Sequence, residues 1–180
     1  MSFYYRLPAA LIAATIAIVQ PEFAVAQLSP QQVEEEIDGN ECNPSEAIDF
    51  NEAIRLNHND AEAYQCRGTL RYQQGDIEGA IADFNEAIRL APNYAEAYSN
   101  RGAVRLLNGD IEGATADYNE AIRLEPNDAD AYYIRGFLRD EVGDKQGAIN
   151  DFQKASELYL QQGNTDSYRD VQNEIRDLQK

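Results

Sequence analysis

The sequence is poor in the residues that build many catalytic and metal sites. It has one histidine and two cysteines in 180 residues, so nitrogen and sulfur donors cannot fill a four-ligand zinc site. Basic residues are also scarce, since 15 Lys and Arg stand against 32 Asp and Glu and leave a net charge of −17. A surface this acidic repels phosphate backbones and anionic lipids, which argues against nucleic-acid binding.

No arrangement of residues typical of an enzyme is present in the sequence. It contains no glycine-rich phosphate-binding motif and no Ser/His/Asp set. His58 stands between two asparagines, without a nucleophile or second ligand at a useful spacing, and is interpreted as a solvated turn residue. Residues 38–41 superficially resemble a calcium-binding loop but have no glycine and no terminal bidentate glutamate at the spacing that such a loop needs. We therefore predict no enzymatic activity, no cofactor, no metal and no small-molecule substrate.

Residues 1–26 have the organisation of a secretory signal peptide. Arg6 precedes an apolar run from Leu7 to Val19, and an Ala-Val-Ala motif that suits a signal peptidase ends at Ala26. The run is shorter than the ~20 residues that cross a bilayer, so cleavage after Ala26 is favoured over an uncleaved anchor. We expect an exported protein, in the periplasm or the thylakoid lumen of a bacterium rather than fully secreted.

The rest of the chain is dominated by an internal repeat of 34 residues. Residues 61–94 and 95–128 align without a gap and are identical at 23 of 34 positions, and residues 129–162 continue the register. A partial copy occupies residues 46–60. Apolar residues at three- and four-residue steps predict two helices per unit, separated by Gly-Asp and ended by Pro-Asn. The third unit has Leu160 in place of the proline, so its second helix is expected to run longer.

Each unit has aromatic, Gly, Ala, aromatic, Ala and Pro residues in that order. They are Tyr64, Gly68, Ala80, Phe84, Ala87 and Pro92 in the first full unit, and Tyr98, Gly102, Ala114, Tyr118, Ala121 and Pro126 in the second. This order at this period resembles the tetratricopeptide repeat (TPR) family. The resemblance implies an all-α solenoid, a right-handed superhelix of antiparallel helix pairs. An amphipathic stretch in residues 163–180 predicts a C-terminal capping helix, and residues 27–45 are interpreted as a linker or a degenerate first helix.

In the TPR family the concave groove is lined mainly by the first helix of each pair. The resemblance implies that the lining here consists of Glu62, Gln65, Thr69, Tyr72, Glu96, Ser99, Ala103, Leu106, Asp130, Tyr133, Phe137 and Asp140. The aromatic and leucine side chains would anchor a partner, although Leu106 and Phe137 could instead pack only between repeats. The acidic members form a rim that should prefer a basic or amphipathic protein segment.

Two classes of binding function follow from the resemblance. The first is a non-enzymatic exported adaptor or scaffold that holds a protein or peptide in the groove. The alternative is an accessory or assembly subunit of an envelope or photosynthetic-membrane complex that docks by its convex face or its caps. The sequence of the repeats is similar to that of exported repeat proteins of photosynthetic bacteria.

TPR co-chaperones bind a C-terminal carboxylate with Lys and Asn side chains. The matching positions here are occupied by Gln65, Thr69, Ser99 and Ala103, which argues against that activity.

Two further features allow opposite interpretations. Cys42 and Cys66 could pair in an oxidising compartment, but helical rise places them roughly 7 Å or more apart along the axis, so two free thiols are favoured. Arginines recur in pairs four residues apart, at Arg67/Arg71, Arg101/Arg105 and Arg135/Arg139. They could form an anion-binding stripe, but the excess of acids favours internal pairing with the equally periodic Asp83, Asp117 and Asp151.

Overall fold

The computed structural model describes Cys42 and residues 50–180. The predicted signal peptide, the predicted linker apart from Cys42, and the first residues of the partial repeat lie outside the described residues. Within residues 50–180 the chain forms eight helices and no strand. The helices are α1 Phe50–Leu56, α2 Ala61–Gln73, α3 Ile77–Leu90, α4 Ala95–Leu107, α5 Ile111–Leu124, α6 Ala129–Glu141, α7 Lys145–Gln161 and α8 Thr165–Leu178.

Consecutive helices pack against each other along the whole described array. The contacts are most extensive within the pairs α2–α3, α4–α5 and α6–α7, which are the two helices of each predicted repeat. In addition α2 contacts α4, so the first helices of these two consecutive repeats lie side by side. This arrangement confirms the predicted all-α solenoid of helix pairs.

The turn inside each pair is set by a glycine followed by an aspartate, as the sequence predicts. Gly75 has a φ of +82°, in the left-handed region that ends a helix without strain only at glycine. The next residue, Asp76, caps α3 by accepting a hydrogen bond from the backbone N–H of Gly79 at 2.9 Å. The same geometry recurs in the next two repeats, where Asp110 and Asp144 are the caps.

Small residues allow the two helices of each pair to approach closely. A Cβ atom added to Gly68 would lie 2.8 Å from an edge carbon of the Phe84 ring, which is closer than two carbons can pack. Ala80, Phe84 and Ala87 of the facing helix are fully buried. Because Gly68 has no side chain at the point where the helices cross, the Phe84 ring can fill the space between them.

The C-terminal end follows the sequence prediction in two respects. Helix α7 has 17 residues, against 14 in α5, because no proline ends it at the repeat boundary. Helix α8 then covers α7 with its apolar stripe, in which Val171 and Ile175 are buried. Gln172 adds a hydrogen bond to the hydroxyl of Ser156 at 2.7 Å. None of the helices in residues 50–180 combines the length and apolar composition that crossing a bilayer requires.

The N-terminal end corrects one expectation. Cys42 and Cys66 form a disulfide bond, with their Cα atoms 5.0 Å apart. The expectation of two free thiols was wrong because it assigned helical rise to the chain around Cys42, whereas the backbone at Cys42 forms a bend. Both cysteines are buried in a small apolar cluster with Phe50, Ile54 and Ala63.

Candidate partner-binding surface

The predicted groove residues fall into two groups by exposure. Five of them reach the surface: Glu62 and Asp130 are exposed, and Tyr72, Glu96 and Asp140 are half-buried. Four of these five are acidic, so the accessible part of this face is an acidic rim with one tyrosine. Because Glu62, Glu96 and Asp130 are 34 residues apart, the rim repeats once per helix pair.

The remaining seven members of the predicted lining are buried. They are Gln65, Thr69, Ser99, Ala103, Leu106, Tyr133 and Phe137. The Tyr133 ring packs edge-on against Phe137 with centroids 4.9 Å apart, and lies 5.8 Å from the ring of Phe152. Leu106 belongs to the same apolar cluster, so Leu106 and Phe137 both pack inside the array, and the ring contacts of Phe137 lie within the third repeat. A contact of these residues with a partner stays a prediction.

Polar bonds connect the first helices of consecutive repeats on this face. The Nε2 of Gln65 donates to the Oε1 of Glu96 at 3.0 Å, which joins α2 to α4. One turn further along α4, Asn100 is fully buried, and neither of its amide atoms has a hydrogen-bond partner within the described part of the chain. Isolated buried amides cost stability, so this position is a weak point of the packing.

A side chain that sequence reasoning missed occupies the third repeat. Tyr159, in the extension of α7, donates its hydroxyl hydrogen to Asp130 and places its ring 6.5 Å from Tyr133. The extension thus covers part of the floor that the resemblance assigned to a partner. The replacement of proline by Leu160 signalled the longer helix, but not the direction of the Tyr159 ring.

Acidic groups of α6 and α8 lie close enough to affect one another's charge. Burial raises the pKa of Glu174 above its ordinary value, and the charges of Asp177, Asp140 and Asp170 raise it further. Burial likewise raises the pKa of Glu141, with Asp140 as the second cause. Like charges from two helices therefore face each other here, and a cation from a partner would relieve their repulsion.

The periodic arginines are held inside the array. The Nε and Nη2 atoms of Arg67 bind both carboxylate oxygens of Asp83, at 2.8 and 2.6 Å, and Arg71 adds a third contact at 2.8 Å. This bidentate bond raises the pKa of Arg67 above its ordinary value. Equivalent pairs enclose Asp117 and Asp151. Of the two interpretations of the arginines, internal ion pairing is therefore confirmed, and the anion-binding stripe is not.

The first arginine of each pair also ties its repeat to the preceding helix. Arg67 donates to the Oδ1 of Asn51 at 3.1 Å, and its guanidinium lies 5.4 Å from the centre of the Tyr64 ring. Arg101 and Arg135 make the same two contacts one and two repeats later. These asparagines stand 16 residues before Arg67, Arg101 and Arg135, so the same spacing recurs in each repeat.

Family models match the chain over these repeats. A TPR repeat model covers residues 68–109 and 104–143, and a tetratricopeptide repeat model covers residues 129–162. Together they span more than half of the 180 residues. The chain belongs to the tetratricopeptide repeat family. No curated protein matches this TPR chain significantly.

Solved TPR structures share the fold. The TPR2B domain of yeast Sti1, in a structure described as a pHsp70 complex, is 26% identical with a TM-score of 0.61, over 66% of this chain and 95% of that one. The Arabidopsis OM64 TPR domain is 25% identical with a TM-score of 0.58, over 65% and 94%. PcrH, solved with the chaperone-binding region of PopD, is 21% identical with a TM-score of 0.61, over 66% and 90%. This last similarity concerns the fold alone.

Proposed function

We propose that this TPR protein is a non-enzymatic, exported scaffold that binds a basic or amphipathic protein segment along the acidic rim of its concave face. The observation that carries the proposal is the distribution of charge. The periodic arginines form ion pairs with Asp83, Asp117 and Asp151. Glu62 and Asp130, in contrast, remain exposed on the first helices of their repeats. The surface offered to a partner is therefore negative, and cationic segments are attracted to it.

The comparisons support binding of protein segments rather than catalysis. TPR proteins are generally protein-interaction modules, and the similar Sti1 domain is described in a complex with pHsp70. The lysines expected of a carboxylate grip are absent from the matching positions of this chain, so we propose a different recognition, by side-chain charge along the segment.

A peptide-binding experiment tests the groove. A 16-residue amphipathic lysine–leucine peptide and its glutamate–leucine counterpart would be titrated by fluorescence anisotropy into the mature protein at low and high salt. We expect binding of the lysine peptide only, weakening as salt screens the charges. The double variant Glu62→Gln/Asp130→Asn should bind about tenfold more weakly, since each rim charge contributes a modest attraction.

The matched control removes the same number of charges from the second helices. Glu86→Gln/Glu120→Gln should leave the affinity nearly unchanged because these acids lie on α3 and α5. Equal losses in both double variants would show that only net charge matters and would refute the groove. Binding of both peptides alike would refute selection of basic segments.

A second candidate is docking of a membrane-complex partner by the edges of the array. It is favoured by the burial of Tyr133 and Phe137, which leaves Tyr72 as the one aromatic residue of the predicted lining at the surface. Large apolar side chains are instead exposed at helix ends, as at Val142 with 64% and Leu160 with 56% of its surface accessible. Crosslinking in the native envelope should capture a partner that Val142→Ser/Leu160→Ser loses and Glu62→Gln/Asp130→Asn retains.

Export is tested separately. Expression of the full chain should yield a mature protein whose N-terminus, measured by mass spectrometry, is Gln27. An intact N-terminus in the cytoplasmic fraction would contradict the proposed compartment.

A further inference from the structure

The contact between α1 and α2 has an apolar cluster of its own. Its buried members are Cys42, Phe50, Ile54, Ala63 and Cys66, and the larger cluster that holds the other repeats begins at Ala80. Helix α1 has 7 residues, and Leu56 at its end is 71% exposed. A helix this short is unstable in water unless it packs against another element. The position of α1 therefore depends on the few buried groups that join it to α2.

The disulfide bond lies at the centre of that small cluster. Both cysteines are 3% exposed, and the bond closes a segment with a sequence separation of 24 residues. Such a cross-link removes conformations from the open state and thereby favours the packed one. The positions equivalent to Cys66 in the next repeats are Asn100 and Ile134, which are buried without a cross-link. Their helices, α4 and α6, contact the preceding helix more extensively than α2 contacts α1.

Helix α2 also forms the N-terminal side of the acidic face, which is called the first wall below. Cys66 is adjacent in sequence to Gln65, whose side chain bonds Glu96 on α4. The same helix carries Glu62 and Tyr72, two of the accessible groove residues. A change in the packing of α2 therefore changes the end of the surface that is proposed to bind a partner.

We propose that the Cys42–Cys66 bond is a redox-dependent lock on the first wall of the concave face. In the oxidised protein the α1–α2 pair is held in its packed position. In the reduced protein α1 separates from α2 and α2 loosens on the side that faced α1, while the array from α3 to α8 keeps its fold. The consequence for binding rests on the proposed groove function, but the lock itself does not.

The chemistry requires an external disulfide as the oxidant. The two thiols lose two protons and two electrons as the sulfur–sulfur bond forms, and the external disulfide accepts them and becomes two thiols. An exported compartment supplies such thiol–disulfide exchange partners, whereas a cytosol keeps thiols reduced. The acidic face is thus completed only after the chain has reached an oxidising compartment.

Hydrogen exchange measured by mass spectrometry tests the lock without any partner. Peptides from α2 and from α6 would be followed in the oxidised mature protein, in the same protein with a phosphine reductant, and in a Cys42→Ala variant. We expect exchange in α2 to accelerate about 100-fold on reduction or substitution, with α6 unchanged. The reductant should have no further effect on Cys42→Ala, which controls for its action elsewhere.

Three results would overturn the lock. They are unchanged exchange in α2 after reduction, acceleration spread equally over α2 and α6, and alkylation showing two free thiols in protein purified from the exported fraction. Because reduction is applied to folded protein, the test does not depend on whether the substituted chain folds.

A binding measurement then separates the lock from the groove function. The lysine–leucine peptide should bind the oxidised protein about tenfold more tightly than the reduced one, because α2 is one of the rim helices. Equal affinities would overturn control of the groove by the bond. No binding to the oxidised protein would refute the proposed groove function, while hydrogen exchange would still decide the lock.

Discussion

Replacement of Asp117 by asparagine tests the energetic role of the ion pairs inside the array. Its carboxylate is 3% exposed and receives two bonds from Arg101, at 2.9 and 2.5 Å, and one from Arg105 at 2.7 Å. The substitution preserves the size of the side chain but removes the counter-charge of Arg101, and it leaves Arg105 with only the more distant carboxylate of Asp110 at 3.7 Å. Removing one partner of a buried ion pair costs about 3–5 kcal/mol.

The expected loss lies near the low end of that range. The side chains of Arg101 and Arg105 are 14% and 24% exposed, so water can partly solvate their charges once the Asp117 carboxylate is removed. We therefore expect the free energy of unfolding to fall by about 3 kcal/mol. With a urea m-value of ~2 kcal/mol/M, the unfolding midpoint would fall by ~1.5 M.

Urea unfolding followed by circular dichroism gives the midpoints, and Glu120→Gln is the matched control. Glu120 lies on the same helix α5 and binds Arg123 at 2.6 Å, but that pair is solvent-exposed. Exposed pairs contribute little, so the control should nearly match the unsubstituted protein. If Asp117→Asn lost no more stability than Glu120→Gln, the view that buried ion pairs hold the repeats together would be refuted.

Three other substitutions address packing, a buried amide and a buried acid. Gly136→Ala should lower the free energy of unfolding by about 1–3 kcal/mol, and by more than Gly102→Ala does. The reason is that the added Cβ would lie 2.6 Å from an aromatic carbon at Gly136 and 3.1 Å from one at Gly102. Equal urea midpoints for the two variants would contradict this. Asn100→Val should raise the free energy of unfolding by about 1 kcal/mol, since it removes an amide that is buried without a partner in residues 50–180; a lower melting temperature would oppose that view. Burial raises the pKa of Asp128 above its ordinary value, so the folded state holds this proton more tightly and stability should rise as the pH falls through the raised pKa toward the ordinary one. Asp128→Asn should reduce this slope in unfolding measured from pH 7 to 4.5, whereas Asp60→Asn, which changes another helix cap, should keep it.

Local sequence patterns predicted most of the fold because the information they carry is itself local. A glycine followed by an aspartate specifies a left-handed stop and a helix cap wherever it occurs, as at Gly75 and Asp76. Equal spacing of arginines and aspartates also predicted the internal ion pairs, because every repeat places Arg67 and Asp83 equivalents on facing helices. The predicted groove was less complete: its acidic rim is accessible, but its floor is buried.

The sequence by itself determined the period, the helix boundaries and the excess of negative charge. These depend on spacing, capping and composition, which each repeat carries within its own 34 residues. Only the tertiary structure decided that Cys42 reaches Cys66, that Tyr159 turns onto Asp130, and that Tyr133 is covered. Each of those outcomes depends on the direction that a side chain or a bend takes after distant helices have packed, and no linear spacing specifies that direction.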